Sequence, residues 1–311
     1  MLTEQQIQES MKKCNQNAGD VKLIELTDTI DFNCKQCGKC CMNRNDIILN
    51  PFDVYNLAKE KNIEPKDVIL NYCSVHLGTN SKMPIIMLDS DDRDMCPMLE
   101  FSLAKGVFEC SVNNAKPGAC ILHPIGIVRS FNIETKEKEV QFISVDACSI
   151  HGTDKTVMVK DFIKNYLDNQ EAHEAGNWLM NEVREHVNID KLFNAIIEAD
   201  SKYIKENCPE EEQEFINRIP SKIKSMLQQV YTVTILESLF STDTSIDFLE
   251  QLDTIKKNIE EACSKIILVL AGMNIDIATK EYMDKNKQFI DDEVSKLMKD
   301  FNSFMTKIKG E

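Results

Sequence analysis

No part of this sequence is apolar for long enough to cross a bilayer. The most apolar stretch, 266–271 (IILVLA), falls far short of the roughly 20 residues a spanning helix needs. It reads as a segment of a buried helix, and no membrane span is expected. Positive charge is also in short supply: 36 Lys and Arg stand against 51 Asp and Glu, for a formal net charge of −15. Such a surface repels phosphate backbones and anionic lipid, which argues against nucleic acid and bare membrane as partners and favours a basic or lysine-bearing protein. The opening MLTEQQIQESMKKC has no apolar run after its charges and no small-residue cleavage site, so no secretory signal is read there and a cytoplasmic location is expected. Several catalytic signatures are missing. No G-x-G-x-x-G, P-loop, H-E-x-x-H or G-x-S-x-G occurs, nor does the C-x3-C-x2-C of radical S-adenosylmethionine enzymes.

Cysteine is what the sequence has in excess. There are twelve, and nine of them fall between Cys34 and Cys148, whereas Cys14, Cys208 and Cys263 are scattered singly through helix-like sequence. In a chain read as cytoplasmic, that usage argues for metal binding or redox chemistry over disulfides, because a reducing cytosol keeps thiols free.

The chain divides by character into a lead-in over 1–30, a cysteine-bearing region over 31–152 and a helical region over 153–311. The lead-in predicts a short polar helix over 5–13, a turn at 17–20 and the strand-like VKLIELTDTIDF. The middle region is irregular, with turn-forming Gly and Pro between brief apolar runs such as PIIML, GVFEC and VQFISV. Its clear helix runs over 51–61: Asn50 is a good N-cap, Pro51 costs no hydrogen bond at the first position, and Phe52, Tyr55, Leu57 and Ala58 supply the packing face. A second short helix begins near Glu64, with Val68, Ile69 and Tyr72 inward. After Thr153 apolar residues recur three and four apart, predicting helices over 159–167, 171–186, 190–207, 210–240, 247–271 and 279–308, with Pro220 kinking the fourth. In the last, Ile290, Val294, Leu297, Phe301, Phe304 and Ile308 form a heptad seam that could dock on the body or make a homodimer. The fold class expected is therefore α+β and mostly α, with a small loop-rich cysteine-ligated metal domain packed on a C-terminal helical domain.

The chemistry is carried by NCKQCGKCCMN, which places Cys34, Cys37, Cys40 and Cys41 in a C-x2-C-G-x-C-C array. Thiolates two residues apart in a tight turn can grip one metal, and Gly38 can take the positive φ that lets backbone N–H groups point at sulfur. Adjacent Cys40 and Cys41 are harder to aim at one ion, since neighbouring side chains usually diverge. Further thiols come from Cys96, Cys110, Cys120 and Cys148, with His123 and His151 each three residues after a cysteine. Cys73 reads as a core residue. Thiolates suit zinc and iron alike, but three cysteines at two-residue intervals are similar to iron–sulfur runs, in which each thiolate reaches a different corner of one cluster. An iron–sulfur cluster, with [4Fe–4S] favoured, is therefore expected ahead of zinc. The run 89–94, with four carboxylates, reads as a solvated acidic turn. His76, His173 and His186 read as surface residues, and Trp178 as core.

CKQCGKCC, then NPFDVYNLAKEKNI, then CPML and ECSVNNAKPGACILHPIG, together resemble the YkgJ-type cysteine-cluster family, a zinc- or iron-chelating domain, over about 32–148. Lys116, Ile121 and His123 stand where that family more usually has Arg, Arg and an aromatic, so any anion-binding role of those arginines does not carry over. Flagellin lysine N-methylases share a similar cysteine cluster and transfer methyl groups from S-adenosylmethionine to lysine. The resemblance thus implies a protein-modifying enzyme using S-adenosylmethionine. The alternative is a non-catalytic zinc or redox module that organises a protein-interaction surface.

Overall fold

A computed structural model of the chain describes residues 3–13, 21–42, 44, 46–78, 83–92, 94–131, 138–145, 152–186 and 231–262. It contains both helices and sheets, an α+β composition. In chain order the elements begin with helix α1 (Glu4–Lys13) and strands β1 (Val21–Ile24), β2 (Thr29–Asn33) and β3 (Ile48–Leu49). Helices α2 (Pro51–Lys61) and α3 (Pro65–Tyr72) follow, then β4 (Cys73–Leu77), β5 (Pro84–Leu88), β6 (Leu99–Ser102) and β7 (Val107–Cys110). Next come α4 (Gly118–Leu122), β8 (Ile125–Phe131), β9 (Lys138–Val145), β10 (Gly152–Met158), α5 (Val159–Phe162), α6 (Lys164–Leu167) and α7 (Gln170–His186). Residues 231–240 and 252–262 are also helical.

Two compact units result: Met1–Ile48 with Leu88–Glu174, and Leu49–Met87 with Ala175–Glu311. Both are discontinuous, whereas the sequence suggests consecutive segments ending at 30 and 152.

The first unit is organised by an antiparallel sheet in the order β1-β9-β8. Successive strand residues point to opposite faces, so Phe142 and Ile143 of β9 enter different cores. Phe142, paired with Ile24 and Ile127, packs with Leu122, Ile125, Val159, Ile163 and Tyr166. Ile143 packs with Val21 and with Ile7 of α1. Helix α1 is started by a capping box in which Thr3 N donates to the Gln6 side chain and Gln6 N donates to Thr3 Oγ1. A second pair, β2 with β10, and the β6–β7 hairpin complete this unit's ladders.

In the second unit α2 starts as the sequence predicts. Asn50 Oδ1 accepts from Asp53 N at 3.0 Å and Asp53 Oδ2 accepts from Asn50 N at 3.1 Å. Phe52, Tyr55, Leu57 and Ala58 are all buried, with Phe52 and Tyr55 against Phe248, and Tyr55 donates its hydroxyl to Ile246 O at 2.9 Å.

Several expectations are corrected. Strand character extends past Thr153 through β10, whose β-branched Thr156 and Val157 suit a strand, before helix begins at Val159. The helix expected over 159–167 is two short helices broken at Ile163. Strand β4 starts at the residue after α3 with no turn signal between them. His173 is 1% exposed and therefore buried, not superficial. Trp178 is half-buried, beside buried Leu179. The helices expected over 190–207 and 279–308, with the heptad seam and its dimer, lie outside the described residues, as do Pro220 and all of 210–230 and 263–271. Among the described residues no helix is long and apolar enough to cross a membrane.

Gly176 lies against the α2 cap: a Cβ there would stand 2.6 Å from Asn50 Oδ1 and 3.1 Å from Phe52 N. Gly176→Ala is expected to destabilise the protein by about 1–3 kcal/mol and Asn50→Ala by about 1 kcal/mol. Both act on one cap, so in urea melts the double variant should lose less than the sum of the singles. A Gly176→Ala protein that unfolds at the wild-type urea concentration would disprove the close approach.

Candidate metal centre

The cysteine array follows β2 directly. Gln36 and Gly38 take left-handed φ values of 51° and 75°, and residues Lys39–Cys41 form one 3-10 turn closed by Cys41 N donating to Gly38 O at 2.8 Å. Glycine is needed at 38 on two counts. A side chain rarely adopts that φ, and a Cβ would stand 3.1 Å from Met42 Cε and 3.2 Å from the Phe108 ring. Phe108 N also donates to Gln36 O at 3.0 Å, which ties the Cys34–Cys37 loop to β7.

Cys96 is brought to the array through the backbone. Its N–H donates to Cys41 O at 2.8 Å, and Met42 and Met95 form an antiparallel bridge beside it. The acidic run sets up this approach: Asp91 Oδ1 accepts from Met95 N at 3.0 Å and Asp91 N donates to Met95 O at 2.8 Å. That turn is therefore a structural brace as well as a charged surface. The Met98 backbone N–H donates to the Cys96 sulfur, the arrangement that stabilises a metal-bound thiolate. Cys110 is the register partner of Leu99 across the β6–β7 hairpin, and Ser111 N donates to Met98 O at 2.8 Å. Cys120 sits on α4, where its charge acts on Cys41 and on Arg44.

Contrary to the expectation that adjacent side chains diverge, the sulfurs of Cys40 and Cys41 stand 3.9 Å apart. Two thiolates on one tetrahedral zinc, with bonds of about 2.3 Å, have their sulfurs about 3.8 Å apart. Cys34 is exposed, and Cys37, Cys40, Cys41, Cys96, Cys110 and Cys120 are half-buried. Cys148 and His151 lie outside the described residues. Cys73 belongs to the second unit. Among the described residues no three His, Cys, Asp or Glu side chains close on one point as the ligands of a metal ion would.

At the site a thiol–thiol hydrogen bond and burial act most strongly on the cysteines, and like charges add to them. The hydrogen bond with Cys40 pushes the Cys41 thiol well above its ordinary value, burial adds to this, and the charges of Cys40, Cys96 and Cys120 act in the same direction. Burial raises Cys96, the Met98 N–H pulls it partly back, and Cys110 raises it again. One cation that sequence reasoning missed is Arg44, whose side chain is 28% exposed, bound to Asp46, and donating to Cys40 O at 3.4 Å. Its signal was a basic residue three positions after Cys41. A cavity of about 480 Å3 opens beside the array, lined by Gln36, Glu100, Ser102, Glu109, Cys110 and Asn113 among others.

A thiol whose folded value is raised stays protonated at a pH where the unfolded chain has already ionised. The folded state then holds more protons, so stability of the metal-free protein should fall as pH rises above about 8.5, by up to about 1.4 kcal/mol per pH unit for each such thiol. Urea melts across that range should show the decline, and Cys41→Ala should flatten it. An unchanged slope in Cys41→Ala would mean that Cys41 titrates as an ordinary thiol.

No family model matches the chain, and neither does any curated protein or solved structure.

Proposed function

We propose that this chain is a metal-cluster protein in which Cys34, Cys37, Cys40, Cys41, Cys96, Cys110, Cys120 and Cys148 supply the ligands of an iron–sulfur cluster. The observation that carries this is the 3.9 Å approach of the Cys40 and Cys41 sulfurs, with the charges of Cys96 and Cys120 also acting on Cys41. Four thiols repel once ionised, and a metal is what makes such a grouping favourable. The residue types suit the group, while among the described residues no three of them close on one point. The donor set is all sulfur, it includes a backbone N–H aimed at Cys96, and it has a guanidinium close by. An iron–sulfur cluster would supply electron transfer or an iron Lewis acid. The protein's part would be to hold the thiolates, with Cys110 at the cavity.

That cavity supports the catalytic form of the proposal, a protein-modifying enzyme of the lysine N-methylase kind acting with S-adenosylmethionine. The cavity is lined by Gln36 and Cys110, where a substrate would reach at least that thiol, and the net charge of −15 suits a basic or lysine-bearing protein partner. A second reading rests on the 3.9 Å spacing of Cys40 and Cys41, which suits two ligands of one zinc ion in a non-catalytic module.

Protein purified without oxygen should be brown and contain iron and acid-labile sulfide in near-equal amounts, with Cys37→Ser losing colour and gaining protease sensitivity in the first unit. Colourless protein with stoichiometric zinc would sink the iron–sulfur form and leave the zinc module. A Cys37→Ser variant that stays fully metallated would remove Cys37 from the ligand set.

A further inference from the structure

Helix α4 carries Cys120, whose charge acts on Cys41, and the helix's first residue rests on two aromatic rings. A Cβ on Gly118 would stand 3.1 Å from His173 Nδ1, 3.3 Å from His173 Cε1 and 3.4 Å from Tyr166 Cε2. Those rings are stacked, with centroids 4.7 Å apart and planes 13° from parallel, and both residues are 1% exposed. The stack is anchored from behind. Glu174 takes Arg129 bidentately at 2.7 and 3.0 Å, Tyr166 donates to Glu174 Oε1 at 2.5 Å, and Arg129 Nη2 reaches the Tyr166 hydroxyl at 3.1 Å. His173 N donates to Asn169 O at 3.0 Å.

We propose that the Tyr166–His173 stack positions Cys120, acting as the platform that sets where this thiol stands relative to Cys40 and Cys41. The inference rests on the metal-cluster proposal for its consequence, though not for its geometry. Within α4, Cys120 N and Ile121 N both donate to Pro117 O, at 2.8 and 3.0 Å, and Leu122 is buried with Tyr166 and Ile163. The helix is therefore held by the ring platform at its start and by the core at its end. Cys120, between the two, has little freedom to move independently. A side chain at 118 lifts the start of the helix and tilts Cys120, whereas one at Ala119, which is exposed, does not.

The test uses the full chain, freed of metal and titrated with Zn(II) and Co(II) against a competing chelator. Gly118→Ala and His173→Ala should weaken binding roughly 10-fold and lower the thiolate-to-cobalt absorbance, as loss of a ligand-orienting contact does. His173→Phe, which keeps a flat ring on Tyr166, should bind as wild type does, and so should Ala119→Ser. In parallel, alkylation of each cysteine in the metal-free proteins is followed by mass spectrometry, with Cys120 expected to change rate in Gly118→Ala while Cys110 does not. Folded Gly118→Ala protein with wild-type affinity and wild-type Cys120 alkylation overturns the inference. Wild-type protein that takes up neither these metals nor iron overturns the metal-cluster proposal instead. In that event the alkylation rates alone decide whether the platform positions Cys120.

Discussion

The hydrogen bond from Cys96 N–H to Cys41 C=O joins two segments far apart in sequence, and the described thiol group depends on it. Neither segment has much apolar surface of its own. Around them, Met98, Val112 and Ala115 are buried, but the cysteines are only half covered. Hydrophobic burial alone is a weak reason for these loops to meet, since ordering each residue costs about 1–2 kcal/mol of backbone entropy. The Met42–Met95 bridge, the Asp91 turn and the Phe108–Gln36 bond all reinforce that one junction. Under the metal-cluster proposal, a metal binding across it would add free energy to that junction.

Charge makes the same argument from the opposite side. The thiols of Cys41 and Cys96 are raised by burial and by their neighbours, so without metal they remain protonated at neutral pH. A divalent ion or a cluster reverses the sign of that interaction, because the thiolates then surround positive charge. Arg44 contributes in the same sense, yet its guanidinium is largely committed to Asp46. Its charge interacts with those of Cys120 and Cys40.

What could be read from the sequence followed local rules. Helix α2 was legible because Asn50, Pro51 and Asp53 act within a few residues of one another, and α7 because its apolar residues recur with the helical period. The positive φ of Gly38 was legible for the same reason, from a glycine set in a tight cysteine turn. Less local features were not. The burial of His173 depends on Tyr166 stacking on it and Gly118 closing over it, and neither leaves a mark next to His173 in sequence. The interleaving of two units was hidden because the crossings at Ile48–Leu49 and Met87–Leu88 fall in ordinary strand sequence without linker composition. Strand β4 was missed because its Cys73, Ser74 and His76 give no alternating apolar pattern.

The Cys40–Cys41 pair shows how a backbone detail bears on the chemistry. In an extended strand, adjacent side chains point to opposite faces and could not share an ion. In a 3-10 turn, with about 3.0 residues per turn, they are separated by about 120°, and ordinary rotamers bring the sulfurs together. The turn exists because Gly38 accepts a left-handed φ and Phe108 fills the space beside it. The 3.9 Å spacing of the pair is that of two ligands on one zinc ion. Rotating one of the two side chains about χ1 directs its sulfur to a different iron of a cluster, with no change to the backbone. The difference between the two rotamers is small beside the free energy of forming several metal–thiolate bonds. The turn at Gly38 therefore fixes where Cys40 and Cys41 meet, and under the metal-cluster proposal the metal would select how the two divide between its coordination positions.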